Sequence, residues 1–232
     1  MKQLAKRLLA KFRASKFDIA PNATATEFEV NNWAISDFVL SRLVHVVGVH
    51  PYPLNELMLM VGAVCRFKPT HVFEWGTNIG ASARVFYEAG KYFEIPLEIH
   101  SIDLPDEIEH VEHPGNNRGK LVRNKPGVTL HLGDGIETSM RIYRTLPIGS
   151  RVLFFVDGDH SYDSVKRELE AIIAHVAEPK VLLHDTFYQS ANSGYNIGPN
   201  AAVRDVLKGL PPNKCLQIIE TKTGLPGMTL VY

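Results

Sequence analysis

The sequence predicts an α/β fold with a mostly parallel sheet, because apolar strand-like runs alternate with helix-length segments along most of the chain. The runs 152–156 and 181–183 are unbroken apolar stretches, as is typical of central strands covered on both faces. Segments 215–221 and 227–232 lie too close together for a helical crossover. They are therefore predicted to form an antiparallel hairpin at the end of the sheet.

Each element follows from its apolar pattern and from the turn residues that bound it. Ahead of the alternating region, helices are predicted at 33–48 and 53–67, the second ending before Pro69, and residues 21–33 are predicted to be a linker. Strands are predicted at 70–75, 98–103, 128–132, 151–157, 180–185, 215–221 and 227–232. Helices among them are predicted at 79–93, 135–145, 161–177 and 200–209.

Composition narrows the class of protein. The 232 residues carry no formal net charge, which gives no reason to expect nucleic-acid binding. Cys65 and Cys215 both lie in apolar segments, so we expect packed thiols in a reducing compartment and no disulfide. The chain has neither an apolar run long enough to span a bilayer nor a secretory signal. We therefore expect a soluble, cytoplasmic protein.

Residues 1–17 depart from the even balance of charge in the whole chain. They carry basic side chains and no acid, with leucines at helical spacing. Three interpretations stay open. The segment is a helix packed on the domain, a helix that binds a membrane surface or an anionic partner, or an organelle transit peptide.

A glycine turn follows the first predicted strand. The strand ends in Glu74, and the turn from Gly76 to Gly80 leads directly into a helix. Such a turn brings backbone N–H groups close to a ligand at the helix N-terminus. The next strand ends in a second carboxylate, Asp103, at the distance typical of an acid that binds a ribose. The pattern indicates a nucleoside-binding domain.

With these motifs and the terminal hairpin, residues 53–232 resemble the class I S-adenosylmethionine-dependent methyltransferases, a Rossmann-like fold of seven strands with the last inserted antiparallel. The segment 157–162 followed by a helix, together with 183–186, is similar to the branch of cephalosporin-hydroxylase-like proteins and macrolide-sugar O-methyltransferases. The resemblance implies these cofactor-binding residues: Glu74, Gly76, Thr77, Asn78, Gly80, Asp103, Asp134, Gly135 and Asp157. Asp134 has a second interpretation as a helix N-cap before Glu137.

Methyl transfer to a hydroxyl needs orientation of the acceptor and removal of its proton, by a histidine base or by a metal that lowers the hydroxyl pKa. The resemblance implies His160 as the base beside Asp157, and Asp157 and Asp185 as ligands of a divalent ion such as Mg²⁺ or Mn²⁺. His184 is a further candidate ligand, but the macrolide-sugar relatives carry a carboxylate there. Since Mg²⁺ prefers oxygen ligands, the metal stays open.

The predicted function is O-methylation of a small molecule, a sugar or a secondary metabolite, with S-adenosylmethionine as methyl donor. A nicotinamide-dependent oxidoreductase is disfavoured by the glycine spacing and the terminal hairpin, and a non-catalytic binding protein of the same fold stays open. Residues 1–50 are predicted as a basic helix and helical cap, and 51–232 as the methyltransferase domain. The resemblance implies a homo-oligomer assembled through the N-terminal helices.

The loops 106–126 and 190–200 are candidate substrate lids, because both are predicted to leave the same edge of the sheet. They contain or adjoin His110, His113, Tyr188 and Tyr195. The two histidines are interpreted as solvated loop residues, and the two tyrosines as candidates for contact with an acceptor.

Overall fold

The computed structural model describes residues 25, 27–108, 114–195, 197–212, 214–221 and 223–232. The predicted basic helix at 1–17, residues 21–24 and 26 of the predicted linker, and both His110 and His113 lie outside these residues. Within the described ranges, no helix combines the length and the apolar character needed to cross a membrane.

The helices and strands follow the predicted alternation. The helices are α1 (Asn32–Phe38), α2 (Val44–Val47), α3 (Leu54–Phe67), α4 (Ala81–Tyr92), α5 (Gly135–Tyr143), α6 (Tyr162–His175) and α7 (Ile197–Lys208). The strands are β1 (His71–Trp75), β2 (Glu98–Asp103), β3 (Val128–Leu132), β4 (Val152–Val156), β5 (Val181–His184), β6 (Ile218–Glu220) and β7 (Met228–Val231). A π-helical turn (Val39–Leu43) joins α1 to α2, and a short 3₁₀ turn (Gly115–Asn117) precedes β3.

The strands form one seven-stranded sheet in the order β3-β2-β1-β4-β5-β7-β6. Strands β1 to β5 pair in parallel, whereas β7 is antiparallel to both β5 and β6. The predicted α/β class, the mostly parallel sheet and the terminal hairpin are therefore confirmed.

Alternate residues of the central strands face two separate cores. Leu153 and Phe155 of β4 join a core with α1, α3 and α4, whereas Phe154 and Val156 join a core with α5, α6 and α7. This double coverage explains why the β4 sequence is apolar at every position. Since α1 packs into the same core as α3 and α4, the helical cap and the sheet domain share buried side chains.

Several predicted boundaries were wrong. The helix predicted at 33–48 is interrupted by the π-helical turn, in which Val39 and Leu43 both stay buried. Helix α7 begins earlier than predicted, at Ile197, because Pro199 lies in its first turn, where proline is tolerated. Strand β6 is limited to the three residues that pair with β7, so Cys215 lies outside it and is exposed rather than packed.

Candidate active site

The glycine turn links β1 to α4 at the carboxyl edge of the sheet. Gly76 has a φ of +94°, and a Cβ there would lie 2.1 Å from the carbonyl oxygen of Asp157. Gly80 has a φ of +84°, and its Cβ would lie 2.8 Å from a methyl group of Val122. Both positions therefore require glycine for the close approach of neighbouring chain segments as well as for conformation.

A hydrogen-bonded side-chain group supports this turn from inside the fold. Glu74 is fully buried and its Oε1 accepts a 2.5 Å hydrogen bond from the Ser101 hydroxyl, which lies 2.6 Å from the hydroxyl of Thr77. Burial raises the pKa of Glu74 to about 8, against the opposing effect of the Ser101 and Ser82 hydroxyls. The side chains of the predicted cofactor residues Glu74 and Thr77 thus point into the fold and stabilise the turn, while the buried Glu74 Oε2 has no hydrogen-bond partner among the described residues. Their contact with a cofactor stays a prediction.

Asp103 lies at the end of β2, directly beside the glycine turn as predicted. Its Oδ2 accepts a 3.2 Å hydrogen bond from the backbone N–H of Asn78, and its Oδ1 accepts one of 2.9 Å from Leu104. The buried Arg118 guanidinium lies 3.3 Å from the same Oδ2 and also pairs with Asp106. The carboxylate therefore lies where a residue that binds a ribose is expected, and the guanidinium of Arg118 already pairs with it.

The loop predicted as a lid packs against the glycine turn through its second half. The N–H of Gly119 donates to the carbonyl of Asn78 at 2.8 Å, and the N–H of Leu121 donates to that of Ile79 at 3.0 Å. Arg118 belongs to the same segment, so this part of the loop forms one wall of the candidate cofactor site.

Asp134 and Gly135 begin α5 at the neighbouring strand end. Asp134 is an N-cap, since its Oδ1 accepts from the N–H of Glu137 at 2.9 Å, while its Oδ2 pairs with Arg167 at 2.7 Å. Partial burial raises the pKa of Asp134, but these two contacts outweigh it and lower the pKa below its ordinary value. A Cβ on Gly135 would lie 2.6 Å from the Trp75 ring. The capping interpretation is thus confirmed, and contact of these two residues with adenine stays a prediction.

A group of acids and imidazoles, here called the carboxyl-edge cluster (Glu56, Asp157, His160, His184 and Asp185), lies on the other side of Gly76. At its centre, His184 Nδ1 is 2.9 Å from Asp157 Oδ1 and 3.3 Å from Asp185 Oδ2. Its Nε2 is 3.1 Å from Glu56 Oε2. Burial lowers the pKa of His184, but the three carboxylates, Asp157 foremost, raise it to about 12. The carboxylates therefore favour the imidazolium form of the buried ring.

His160 bridges the same carboxylates from the solvent side. Its Nε2 lies 3.5 Å from Asp157 Oδ1 and its Nδ1 lies 3.3 Å from Asp185 Oδ2, with the side chain 38% exposed. The hydrogen bond to Asp157 raises the pKa of His160 above its ordinary value of 6.5, although burial opposes the change. Of the two imidazoles in the cluster, His160 is the one that an incoming molecule can reach.

Two tyrosines hold the remaining carboxylate oxygens. Tyr52 donates to Asp157 Oδ2 at 2.6 Å, and Tyr195 donates to Asp185 Oδ1 at 2.9 Å. Asp185 itself has a φ of +56°, which is uncommon for a residue other than glycine. Such strain is found where the surroundings fix a functional side chain.

Strand order explains why the predicted residues meet. Asp157 follows β4 and Asp185 follows β5, and both strands run parallel to β1, which leads into the glycine turn. The carboxyl ends of parallel neighbours share one edge of the sheet. The structure thus brings together His160, Asp157, His184 and Asp185 beside Gly76, as the sequence predicted.

Sequence reasoning missed Tyr52, Glu56 and Arg118. Glu56 is fully buried in α3, where its second oxygen accepts a 2.7 Å hydrogen bond from the N–H of Gly227. An acid directly before the apolar residues 57–64 was a usable signal, since a buried carboxylate needs a partner. Arg118 gave no such signal, because its loop has no periodic pattern.

The donor atoms can be compared with the divalent metal that the resemblance implies. One ligand atom each from Asp157, His184 and Asp185 lies within 4.8 Å of the others. Mg²⁺ prefers oxygen ligands, whereas here a nitrogen of His184 stands between the two carboxylates, with its other nitrogen on Glu56. The residues therefore do not fit Mg²⁺, and a softer ion such as Mn²⁺ at this place stays a prediction.

Comparison with known proteins bears on the same region. Residues 73–186 match the model of a family described as a methyltransferase domain. The chain has a methyltransferase domain. The matched segment runs from β1 to the residue after Asp185, so it includes the glycine turn, Asp103 and every member of the carboxyl-edge cluster except Glu56.

Solved structures of methyltransferases share the fold over nearly the whole chain. A Podospora anserina methyltransferase bound to S-adenosylhomocysteine aligns with a TM-score of 0.55 and 16% identity, covering 99% of this chain and 94% of the other. A Streptomyces achromogenes O-methyltransferase of tomaymycin synthesis, in complex with S-adenosylmethionine, aligns with a TM-score of 0.53 and 17% identity. The alignment covers 86% of this chain and 95% of the other. A TDP-rhamnose 3′-O-methyltransferase of calicheamicin biosynthesis aligns with a TM-score of 0.52 and 16% identity, covering 92% of this chain and 96% of the other. No curated protein matches the chain significantly.

At these identities the structural likeness establishes the fold of the methyltransferase domain. Together with the family match, it confirms the predicted resemblance to the class I methyltransferases.

Proposed function

We propose that this methyltransferase transfers the methyl group of S-adenosylmethionine to a hydroxyl oxygen of a small molecule, with His160 as the general base. The observation that carries the proposal is the position of Asp157. Its backbone lies against Gly76 of the glycine turn, and its side chain holds the accessible imidazole of His160. Asp157 would therefore contact both the turn that holds the cofactor and the histidine that acts as base.

The sheet order supports a cofactor at this place. Strand β1 has β2 on one side and β4 on the other, so the chain reverses its direction of travel across the sheet between β1 and β4. Open α/β sheets bind ligands in the crevice at such a reversal, outside the carboxyl ends of the strands. Asp103, at the next strand end, suits the two ribose hydroxyls of an adenosyl group. Two of the neighbours above were crystallised with S-adenosylmethionine or its product.

Methyl transfer requires only a short sequence of bond changes. The acceptor oxygen attacks the sulfonium methyl carbon in line with the carbon–sulfur bond, which breaks and leaves the neutral thioether S-adenosylhomocysteine. The hydroxyl proton passes to an unprotonated nitrogen of His160. The carboxylates of Asp157 and Asp185 then stabilise the imidazolium that forms. Placement of the two reactants contributes the larger part of the rate, and general base catalysis contributes roughly 10² to 10⁴.

His184 has a positioning role in this scheme. Three carboxylates in close contact would repel one another, and the buried imidazolium of His184 offsets that repulsion. It thereby holds Asp157 and Asp185 on the two sides of His160. No step in the reaction draws on a metal ion.

A hydroxylated acceptor agrees with the surroundings of Asp185. A cleft of about 100 Å³ begins at the next residue, and polar side chains form part of its walls, with Thr186, Tyr188, Asn200 and Arg204 among its lining. Sugars and polar secondary metabolites carry groups that suit such walls, and the neighbours include a TDP-rhamnose 3′-O-methyltransferase and an O-methyltransferase of tomaymycin synthesis. The homo-oligomer and the membrane-surface contact of the N-terminal helix stay predictions.

The test is methyl transfer from labelled S-adenosylmethionine to a panel of hydroxylated sugars and phenols, with wild-type protein and His160→Gln. We expect kcat to fall by about 10² to 10⁴ in the variant, while affinity for S-adenosylhomocysteine is unchanged. His45→Gln, which alters an exposed histidine of α2, is the matched control and keeps full activity. A His160→Gln variant as active as wild type would overturn the base assignment and leave the cofactor assignment standing.

One observation favours a second candidate, a non-catalytic protein of this fold. Arg118 already pairs with Asp103, the carboxylate assigned to the ribose. If that pair persists in solution and excludes the cofactor, neither S-adenosylmethionine nor S-adenosylhomocysteine will bind to well-folded protein.

A further inference from the structure

A second histidine group lies across strands β1 to β3, away from the carboxyl-edge cluster, and begins at the amino ends of β1 and β2. It is called here the amino-edge cluster (His71, Glu98, His100 and His131). His71 is the first residue of β1 and pairs in register with Glu98, the first residue of β2. His100 follows Glu98 by two residues, so both side chains leave the same face of β2. Parallel pairing thus brings three potential metal ligands to one face.

We propose that His71, Glu98 and His100 bind a divalent transition-metal ion of the zinc class at this edge of the sheet. The three residues each offer a ligand atom within 4.8 Å of the others. Two imidazoles and one carboxylate form a donor set suited to Zn²⁺, Co²⁺ or Ni²⁺ rather than to Mg²⁺ or Ca²⁺.

The separation of the two imidazole nitrogens matches a tetrahedral site, and the carboxylate oxygen lies slightly farther away. His71 Nδ1 lies 3.4 Å from His100 Nε2 and 3.8 Å from Glu98 Oε2. Ligands at the usual zinc distance of about 2.0–2.2 Å in a tetrahedron are separated by about 3.3–3.6 Å. The Glu98 side chain is exposed, so it is the group free to move closer to the two imidazoles and complete three vertices.

His131 supplies the outer contact that orients a ligating histidine. Its Nε2 lies 3.2 Å from His100 Nδ1, so a proton on that Nδ1 is donated to His131 and the Nε2 lone pair is directed at His71. Ligating histidines generally donate their second ring N–H to such a partner. Stacking on Phe73, with ring centroids 4.9 Å apart, further fixes the His100 ring.

Access to this place is open from one side. The Glu98 side chain is 66% exposed, whereas that of His71 is 12% exposed. An ion would enter beside Glu98, keep water as its fourth ligand, and tie the start of β1 to the start of β2. The residues involved lie outside the methyl-transfer site, so the metal site and the proposed activity stand or fall separately.

The test is titration of metal-free, full-length protein with Zn²⁺ by calorimetry and with Co²⁺ by visible absorption, which reports tetrahedral coordination. We expect one equivalent of ion with tetrahedral Co²⁺ bands. Zn²⁺ affinity should fall about 100-fold or more in His71→Gln and about tenfold in Glu98→Gln. His131→Gln, which removes the outer contact, should weaken binding by about 10- to 100-fold. The exposed His45→Gln serves as the control and binds as wild type does.

Asp185→Asn separates this place from the carboxyl-edge cluster, because it removes a donor from the latter alone. Retention of the tetrahedral ion in Asp185→Asn and its loss in His71→Gln supports the site. Glu98→Gln alters an exposed side chain, so it decides the matter if His71→Gln fails to fold. Absence of Zn²⁺ binding by wild type, or binding that is lost in Asp185→Asn and kept in His71→Gln, overturns the proposal.

Discussion

The two edges of the sheet each carry a histidine packed among ionisable neighbours, and the neighbours favour a protonated ring at one edge and a neutral ring at the other. His184 at the carboxyl edge is surrounded by carboxylates, which raise its pKa to about 12. His100 at the amino edge is flanked by His71 and His131, and burial together with these rings lowers its pKa to about 4. The two side chains are buried to a similar degree, 6% and 9% exposed. Burial alone therefore decides neither charge nor role.

This difference separates two kinds of chemistry on one scaffold. The imidazolium of His184 holds carboxylates together beside the accessible base His160. The neutral rings at the amino edge keep lone pairs available, which suits ligation of a metal ion. Histidine content or spacing in the sequence cannot distinguish the two, because the deciding neighbours come from other elements.

The largest expected effect comes from replacing each central histidine by phenylalanine. His184→Phe leaves buried carboxylates without their cation, and loss of one partner from a buried ion pair costs about 3–5 kcal/mol of unfolding free energy. His100→Phe removes a neutral ring that stacks on Phe73, so we expect a loss of only about 1 kcal/mol. Urea unfolding at pH 7 measures both.

Adding Glu56→Gln to His184→Phe sharpens this comparison. Removal of one of the unpaired carboxylates should restore part of the lost stability, since it lessens their mutual repulsion. Equal losses for His184→Phe and His100→Phe, with no recovery in the double variant, would refute the charge difference between the two edges.

The next effect is on the pH dependence of methyl transfer. His160 accepts a proton only when neutral, and its pKa is raised above 6.5 by Asp157. kcat/KM should therefore rise about tenfold per pH unit on the acid side and level off only above that pKa. The same titration followed by NMR should show His100 unprotonated down to about pH 5, since its pKa is about 4. A pH-independent kcat/KM between pH 5 and 8 would remove His160 from the role of base.

The smallest effect distinguishes the two acids at neighbouring strand ends. Asp103→Asn should weaken S-adenosylhomocysteine binding by about 10- to 150-fold, because a hydrogen bond to a charged group contributes roughly 1.5–3 kcal/mol. Asp134→Asn should leave binding nearly unchanged, because its oxygens already cap α5 and pair with Arg167. Calorimetric titration of both variants measures the difference. An equal loss of S-adenosylhomocysteine affinity in the two variants would show that Asp134 also contacts the cofactor.

The mostly parallel sheet with its terminal hairpin and the meeting of Asp157, His160 and Asp185 followed from the sequence, because strand ends in a parallel sheet share an edge whatever the loops do. The inward position of Glu74 and Thr77 did not follow. Their side chains are turned into the fold by the hydroxyl of Ser101 on the adjacent strand, a contact across elements that no local pattern records.

Contacts between distant elements also explain why sequence reasoning missed Glu56 and Arg118. Glu56 reaches His184 across 128 positions of chain, and Arg118 reaches Asp103 from a loop without periodicity. Both contacts depend on tertiary packing. The short β6 and the exposed Cys215 were also mispredicted, because an apolar run does not reveal how many of its residues a neighbouring strand will pair.

The most direct test of the methyl-transfer account is calorimetric titration of the purified protein with S-adenosylhomocysteine, with NADH as the parallel control. We predict one-site, micromolar binding of S-adenosylhomocysteine and none of NADH. Absence of binding in a sample shown to be folded by circular dichroism would contradict the account and favour the non-catalytic protein, with Arg118 closing Asp103 to the cofactor.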